Sequence, residues 1–219
     1  MRPKPLSQYK VIFWDFDGTI VDSVNAKLDA FLELFKDATR DSLEKITRHH
    51  LSNGGVSRYE KIPLYLSFCG ITPNPNTVEQ YISAFSELAV ANVLKSPLIP
   101  GAVEYIRGNH SYQSFMLITA TPQREIEDIL LGMHLNSFFK HVCGAPLCKT
   151  STLSELIRQS PWSADDMLYI GDSLTDYMAA FSNNISFLCV QSVNVQDNQP
   201  WFLEYPELCV TQSLLVTSS

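Results

Sequence analysis

Apolar residues fall into two rhythms along this chain. Short unbroken runs occur at "VIFW" (11–14), "SFMLIT" (114–119), "KHVCG" (140–144), "DMLYIGD" (166–172) and "ISFLCV" (185–190). Apolar residues in them do not alternate with polar ones, which is the pattern of strands covered on both faces, as in a parallel sheet. Stretches with helical spacing lie between them, beginning near Pro122, Thr152 and Ser173. Alternation of this kind predicts an α/β protein, a Rossmann-like parallel sheet wrapped by helices. "ELCVTQSLLV" near the end reads as a last short strand and helix, and residues 191–206, which show no period, as loop.

The first interval breaks the alternation. From Asp22 to Pro97 only helical patterns occur, over 23–37, 41–51, 58–68 and 76–94. In the first of these, Val24, Leu28, Phe31 and Phe35 form one apolar stripe. A crossover between parallel strands needs a single helix. Four helices need a core of their own, so residues 22–96 are expected to be an inserted helical subdomain. Residues 1–21 and 97–219 would then form the main α/β core. "KSPLIPG" (95–101) is a proline-rich return to the sheet.

At the end of the first apolar run the sequence reads "DFDGT". Asp-Gly between apolar segments is also a hairpin signal, but a buried strand followed by a helical pattern makes this a strand–loop–helix junction. In open α/β sheets ligands bind at such carboxyl ends. Asp15 and Asp17 lie there, and further polar groups follow other strands: Thr119, Lys149, and Asp172 with Asp176 in "GDSLTD". Each has an ordinary alternative. Thr119 suits a strand end, Lys149 suits solvent, Asp172 suits a turn, and Asp176 suits a capping box with Ser173. Separately these alternatives are adequate; together they leave the shared position at strand ends unexplained.

The set suits phosphoryl transfer. A carboxylate is ionised at neutral pH and needs no base to act as nucleophile. A neighbouring carboxyl can keep a proton and serve as acid, because like charges raise its pKa. Carboxylates from different loops suit a hard cation such as Mg²⁺, and Lys149 offers a point charge to phosphate. Thr121-Pro122 reads as a helix N-cap followed by Pro at the first helical position, a start that presents free N–H groups to anionic oxygens.

Composition narrows the classes. The 219 residues are 45% hydrophobic, enough for a sizeable core. A net charge of -7 disfavours a generic nucleic-acid or membrane-surface binder. No run approaches a membrane span. No apolar run precedes the first strand, so a signal peptide is not expected and a cytoplasmic location is. Cys69, Cys143, Cys148, Cys189 and Cys209 are odd in number and widely spaced, which suggests reduced thiols. Adjacent His49 and His50 would not share a helix face and make a poor metal pair.

"DFDGT", a strand-ending "T", a downstream "K" and "GDSLTD" resemble, in order, the four motifs of the haloacid dehalogenase superfamily, and the insert after the first motif resembles its C1-type cap. The nearest branch is the phosphoglycolate-phosphatase-like and β-phosphoglucomutase-like one. The resemblance implies Asp15 as nucleophile and metal ligand, and Asp17 as acid/base with its backbone carbonyl on the metal. Thr119, the adjacent Ala120 and Lys149 would hold the phosphoryl group. Asp172 would bind Mg²⁺ and Asp176 would support the metal from behind. An Asp at 17 disfavours dehalogenation. In the cap, Gly54, Gly55 and Arg58 are the expected substrate-recognition residues, Arg58 by forking onto a carboxylate or second phosphate. Lys61 and His50 are lesser candidates. The implied activity is Mg²⁺-dependent hydrolysis of a small phosphorylated metabolite. The alternatives are a phosphoryl-transfer mutase and a non-catalytic binding protein. Neither nucleic acid nor membrane is an expected partner, and oligomeric state is not legible.

Overall fold

The computed structural model describes residues 3–191, 201–205 and 208–215. Its centre is a six-stranded sheet: β1 (Val11–Trp14), β2 (Ser114–Pro122), β3 (Phe139–Ala145), β4 (Met167–Gly171), β5 (Ser186–Val190) and β6 (Cys209–Thr211). The order is β3-β2-β1-β4-β5-β6, and every neighbouring pair is parallel. Strand order reverses at β1, which lies between β2 and β4, and a crevice opens at that switch point.

Double-sided burial explains the unbroken apolar runs. Ile12 and Trp14 face one hydrophobic cluster, with Leu117, Ile170, Ile106 and Ile126. Val11 and Phe13 face another, with Met116, Tyr169, Leu153 and Ala180. Helices α5 (Ala102–Asn109) and α6 (Gln123–Gly132) contribute to the first layer; α7 (Lys149–Gln159) and α8 (Leu174–Ser182) contribute to the second. Trp14 meets Phe115 edge-on, with ring centroids 5.9 Å apart, which gives the first layer an aromatic centre.

Between β1 and α5 run α1 (Val24–Leu34), α2 (Arg40–Ser52), α3 (Arg58–Phe68) and α4 (Pro75–Val93). Side-chain caps start three of them: Thr39, Ser57 and Asn74 accept from backbone N–H groups of the first turn. The four helices share a third hydrophobic cluster, in which Phe31 stacks on Phe85 at 4.0 Å and meets Tyr65 edge-on. Helix α4 belongs to both regions. Phe85 and Ala89 lie in the helical cluster, and Val93 in the sheet's first layer. The chain's two crossings are paired. The Asp22 N–H donates to Pro97 O at 2.8 Å, the Ile99 N–H donates to Ile20 O at 3.0 Å, and Val21 bridges Leu98 antiparallel.

Several elements differ from expectation. Strand β2 runs on to Pro122, so Thr121 does not cap α6; the cap position is Pro122, and α6 begins at Gln123. Helix α7 begins at Lys149 rather than near Thr152. Helix α5 was not anticipated; its eight residues are too few for the period to stand out. The strand expected near the C-terminus is β6, but residues 213–215 are not helical, and 216–219 lie outside the described residues. Of the loop read over 191–206, residues 192–200 and 206 lie outside them too, while Trp201–Glu204 form a 3₁₀ turn.

Candidate active site

Asp15 is the first residue after β1, and its N–H is fixed by Ile170 O at 2.9 Å. Its side chain is buried beside Lys149, the first residue of α7. Lys149 Nζ lies 3.0 Å from Asp15 Oδ1 and donates to Asp176 Oδ1 at 2.6 Å. Asp176 Oδ2 accepts from the Ser173 N–H at 3.1 Å and hydroxyl at 2.5 Å. Asp176 is therefore both the capping-box partner of Ser173 and the anchor of Lys149.

Asp15, Asp172 and Asp176 each present an oxygen within 4.8 Å of the others. Their charges crowd one buried place. Burial pushes Asp15 up to about 7, aided by the Asp176 charge and opposed by Lys149. Burial, then Asp15 and Asp176, push Asp172 well above the usual carboxylate range. Burial alone would lower Lys149, but the Asp15 and Asp176 carboxylates raise it, so it stays charged. Asp15 Oδ1 has the ion-pair contact with Lys149 and no other donor among the described residues. A hard divalent cation fits these donors: the ligand atoms are all carboxylate oxygens, and they crowd more negative charge than one lysine offsets. The loops approach closely to achieve this. Gly18 has φ 75°, and a Cβ on it would stand 2.1 Å from Asp172 Oδ2. The Asp172 carbonyl is held from the other side by Trp201 Nε1 at 2.9 Å.

Asp17 departs from expectation. Asp15 was expected to help keep a proton on it, but its oxygens face cations and donors instead. Lys27 Nζ lies 2.5 Å from Oδ2, Thr121 Oγ1 donates to Oδ2 at 2.9 Å, and Ser23 Oγ donates to Oδ1 at 2.6 Å. Burial opposes ionisation, but Lys27, Ser23 and Thr121 outweigh it and hold Asp17 below the usual value. Sequence reading missed these three partners. Ser23 and Lys27 are one helical turn apart at the start of α1, directly after "DGT", and that spacing was the available signal.

A cavity of about 60 Å³ opens between the acidic cluster and the four-helix region. Asp15, Asp17, Ala120 and Asp172 form its floor; Phe31, Val56 and Phe85 are among its apolar walls. Thr119 is buried, and its hydroxyl accepts from the Thr121 N–H at 3.2 Å. Gly54 and Gly55 reach the cavity wall, and they also pack on the core: a Cβ on Gly55 would meet Thr175 Oγ1 at 2.1 Å. Arg58 lines the cavity, but its guanidinium fork is engaged by a protein carboxylate. It donates to Glu125 of α6 through both terminal nitrogens, at 2.8 and 2.6 Å, and to Ser86 at 2.7 Å. It also lies 4.6 Å from the Phe85 ring centroid. Lys61 and His50 stand in the cavity wall as well.

Residues 11–190 match the family model described as haloacid dehalogenase-like hydrolase. No curated protein matches the chain. A predicted phosphoglycolate phosphatase of Haemophilus somnus 129pt is 18% identical, with TM-score 0.73, covering 94% of this chain and 95% of that one. The HAD-hydrolase YfnB of Bacillus subtilis, solved with magnesium and described as revealing interdomain movement, is 19% identical, with TM-score 0.68 and coverages of 94% and 96%. CbbY of Rhodobacter sphaeroides, solved with phosphate, is 16% identical, with TM-score 0.71 and coverages of 94% and 95%. At these identities the likeness is one of fold.

The Arg58–Glu125 pair joins α3 to α6 and is nearly fully buried. Glu125→Gln leaves the guanidinium charge without its carboxylate, a change expected to cost about 3–5 kcal/mol. The loss would appear as a lowered midpoint of urea unfolding. Arg58→Lys keeps the charge but loses the fork, and is expected to be destabilised as well.

Proposed function

Because this chain belongs to the haloacid dehalogenase-like hydrolase family, we propose that it is a Mg²⁺-dependent phosphomonoester hydrolase. Its substrate is a small phosphorylated metabolite, and its intermediate is an aspartyl-phosphate on Asp15. The observation that carries this reading is the position of Asp15, on the floor of the cavity with Lys149 Nζ 3.0 Å from one oxygen.

An Asp15 oxygen attacks phosphorus, the bond from phosphorus to the leaving oxygen breaks, and that oxygen takes a proton from Asp17. A water then attacks phosphorus and gives a proton to Asp17. The bond to Asp15 breaks, and inorganic phosphate leaves. Asp17 is ionised when the site is empty, so it must gain its proton when substrate arrives. The phosphoryl group supplies the cause: its negative charge beside Asp17 opposes the Lys27 effect and raises the affinity of Asp17 for a proton. Lys149 keeps Asp15 oriented and offers charge to the phosphoryl oxygens. Ala120 lies beside them in the cavity, and Thr119 directly before it. Asp15, Asp172 and the Asp17 backbone carbonyl would hold Mg²⁺, with Asp176 behind. Bound there, the cation masks phosphate charge. The apolar walls limit contact with bulk water, and a cavity this small favours a short leaving group.

Phosphate release from a panel of phosphomonoesters is expected to require Mg²⁺ and to fall to background in Asp15→Asn. Asp17→Asn is expected to lose about 10²–10⁴-fold in turnover. Mg²⁺-independent release, or release that survives Asp15→Asn, would sink the mechanism.

The acidic cluster also predicts an effect on stability. Without metal, and at a pH high enough to ionise Asp172, Asp172→Asn removes a charge crowded against Asp15 and Asp176 and is expected to raise the melting temperature. About 2–4 °C would correspond to each kcal/mol of relief. The same change should remove most of the rise that Mg²⁺ gives the wild type, as differential scanning calorimetry would show.

A further inference from the structure

Three of the four cations around the cavity have carboxylate partners: Lys149 with Asp15 and Asp176, Lys27 with Asp17, and Arg58 with Glu125. Lys61 is the exception. It lies on α3, is 4% exposed, and lines the cavity. Among the described residues its ammonium has no carboxylate within ion-pair distance, and its hydrogen-bond partner is His50 Nδ1 at 3.4 Å. The tautomer follows from the other side of the ring. His50 Nε2 is 3.1 Å from the Val24 carbonyl, which only accepts, so Nε2 holds the proton and Nδ1 is a lone pair facing Lys61. Burial, then the Lys61 charge, keep His50 neutral. One Lys61 donor is thus fixed on His50, and two remain.

An unpaired buried ammonium is costly, and such charges are normally met by an anion. The described residues supply none here, so Lys61 holds its charge firmly only where a ligand brings the anion. The phosphoryl group itself belongs over Asp15 and Lys149. The remaining space is short: about 60 Å³ equals a handful of water-sized spheres. A carboxylate brings one negative charge to this one ammonium, whereas a second phosphate brings nearly two.

We propose that Lys61 is the specificity-determining residue of this site, receiving a carboxylate on the short leaving group of the phosphoester, with His50 as its positioning residue. The proposal rests on the phosphatase reading for its chemistry but not for the binding contact. Burial, then the Lys27 charge, lower Lys61 to about 7 against the attraction of Asp17 and Asp172. A bound carboxylate adds the missing counter-charge. The unpaired lysine is also a liability for folding, so Lys61→Met is expected to melt no lower than the wild type.

The test uses a matched pair: 2-phosphoglycolate and 2-hydroxyethyl phosphate, which differ in carrying a carboxylate or a hydroxymethyl group. Wild type is expected to prefer the carboxylate ester by about 10–100-fold in kcat/KM, the size of a charged hydrogen bond. Lys61→Met should cut that preference at least tenfold, through KM rather than kcat, and Lys61→Arg should restore part of it. Replacing His50 with Phe should weaken the preference without abolishing it. The same pair is titrated calorimetrically into Asp15→Asn with and without Lys61→Met, which reads binding alone. Equal losses on both esters, or no preference in turnover and binding, would overturn the proposal. Tighter binding of ethylene glycol bisphosphate than of 2-phosphoglycolate would overturn the choice of carboxylate. If neither ester is turned over but the Lys61-dependent difference in binding persists, the phosphatase reading fails and the Lys61 site stands.

Discussion

One lysine among three crowded carboxylates, two of them buried, sets the terms for the rest of this molecule. Asp15, Asp172 and Asp176 come from two strand ends and the first turn of a helix, and Lys149 alone bridges two of them. A buried group with surplus negative charge persists only where the surrounding backbone is rigid. The parallel sheet supplies that rigidity. Because β1 sits between β2 and β4, the loops after them converge without long connections. The close passage of Gly18 against Asp172, and the Trp201 hydrogen bond to the Asp172 carbonyl, hold the loops at contact distance.

The two acidic residues of "DFDGT" show how far adjacency in sequence misleads about charge. They are two positions apart, yet their environments push their proton affinities in opposite directions. Asp15 faces other carboxylates, while Asp17 faces Lys27, Ser23 and Thr121. Such divergence lets one carboxylate serve as nucleophile while the other handles protons. Around the cavity the same logic recurs with opposite sign. Arg58 and Lys61 are three residues apart on α3; one is satisfied by Glu125, and the other, among the described residues, has only a neutral imidazole.

Much of the sheet was legible because parallel strands buried on both faces leave continuous apolar runs. Asp15, Asp17, Asp172 and Asp176 were legible as a group because each follows such a run. The Asp17 environment was not, since Ser23 and Lys27 look like an ordinary helix start and Thr121 like a cap. Glu125 is 67 residues from Arg58, and no local pattern links them. Trp201 lies in a stretch without period, so its grip on the Asp172 loop had no signal. The match of residues 11–190 to the hydrolase family model agrees with the motif order read from the sequence.

The paired crossings between the four-helix region and the sheet have a mechanical consequence. Two chain segments that run side by side and are bonded to each other bend about one common line and resist twisting. Helix α4 adds a stiff rod rooted in both hydrophobic clusters. Any opening of the cavity is thereby confined to something close to a single degree of freedom. The aromatic wall and the Lys61 ammonium would leave the floor together and return in register, with no separate search for alignment at each cycle.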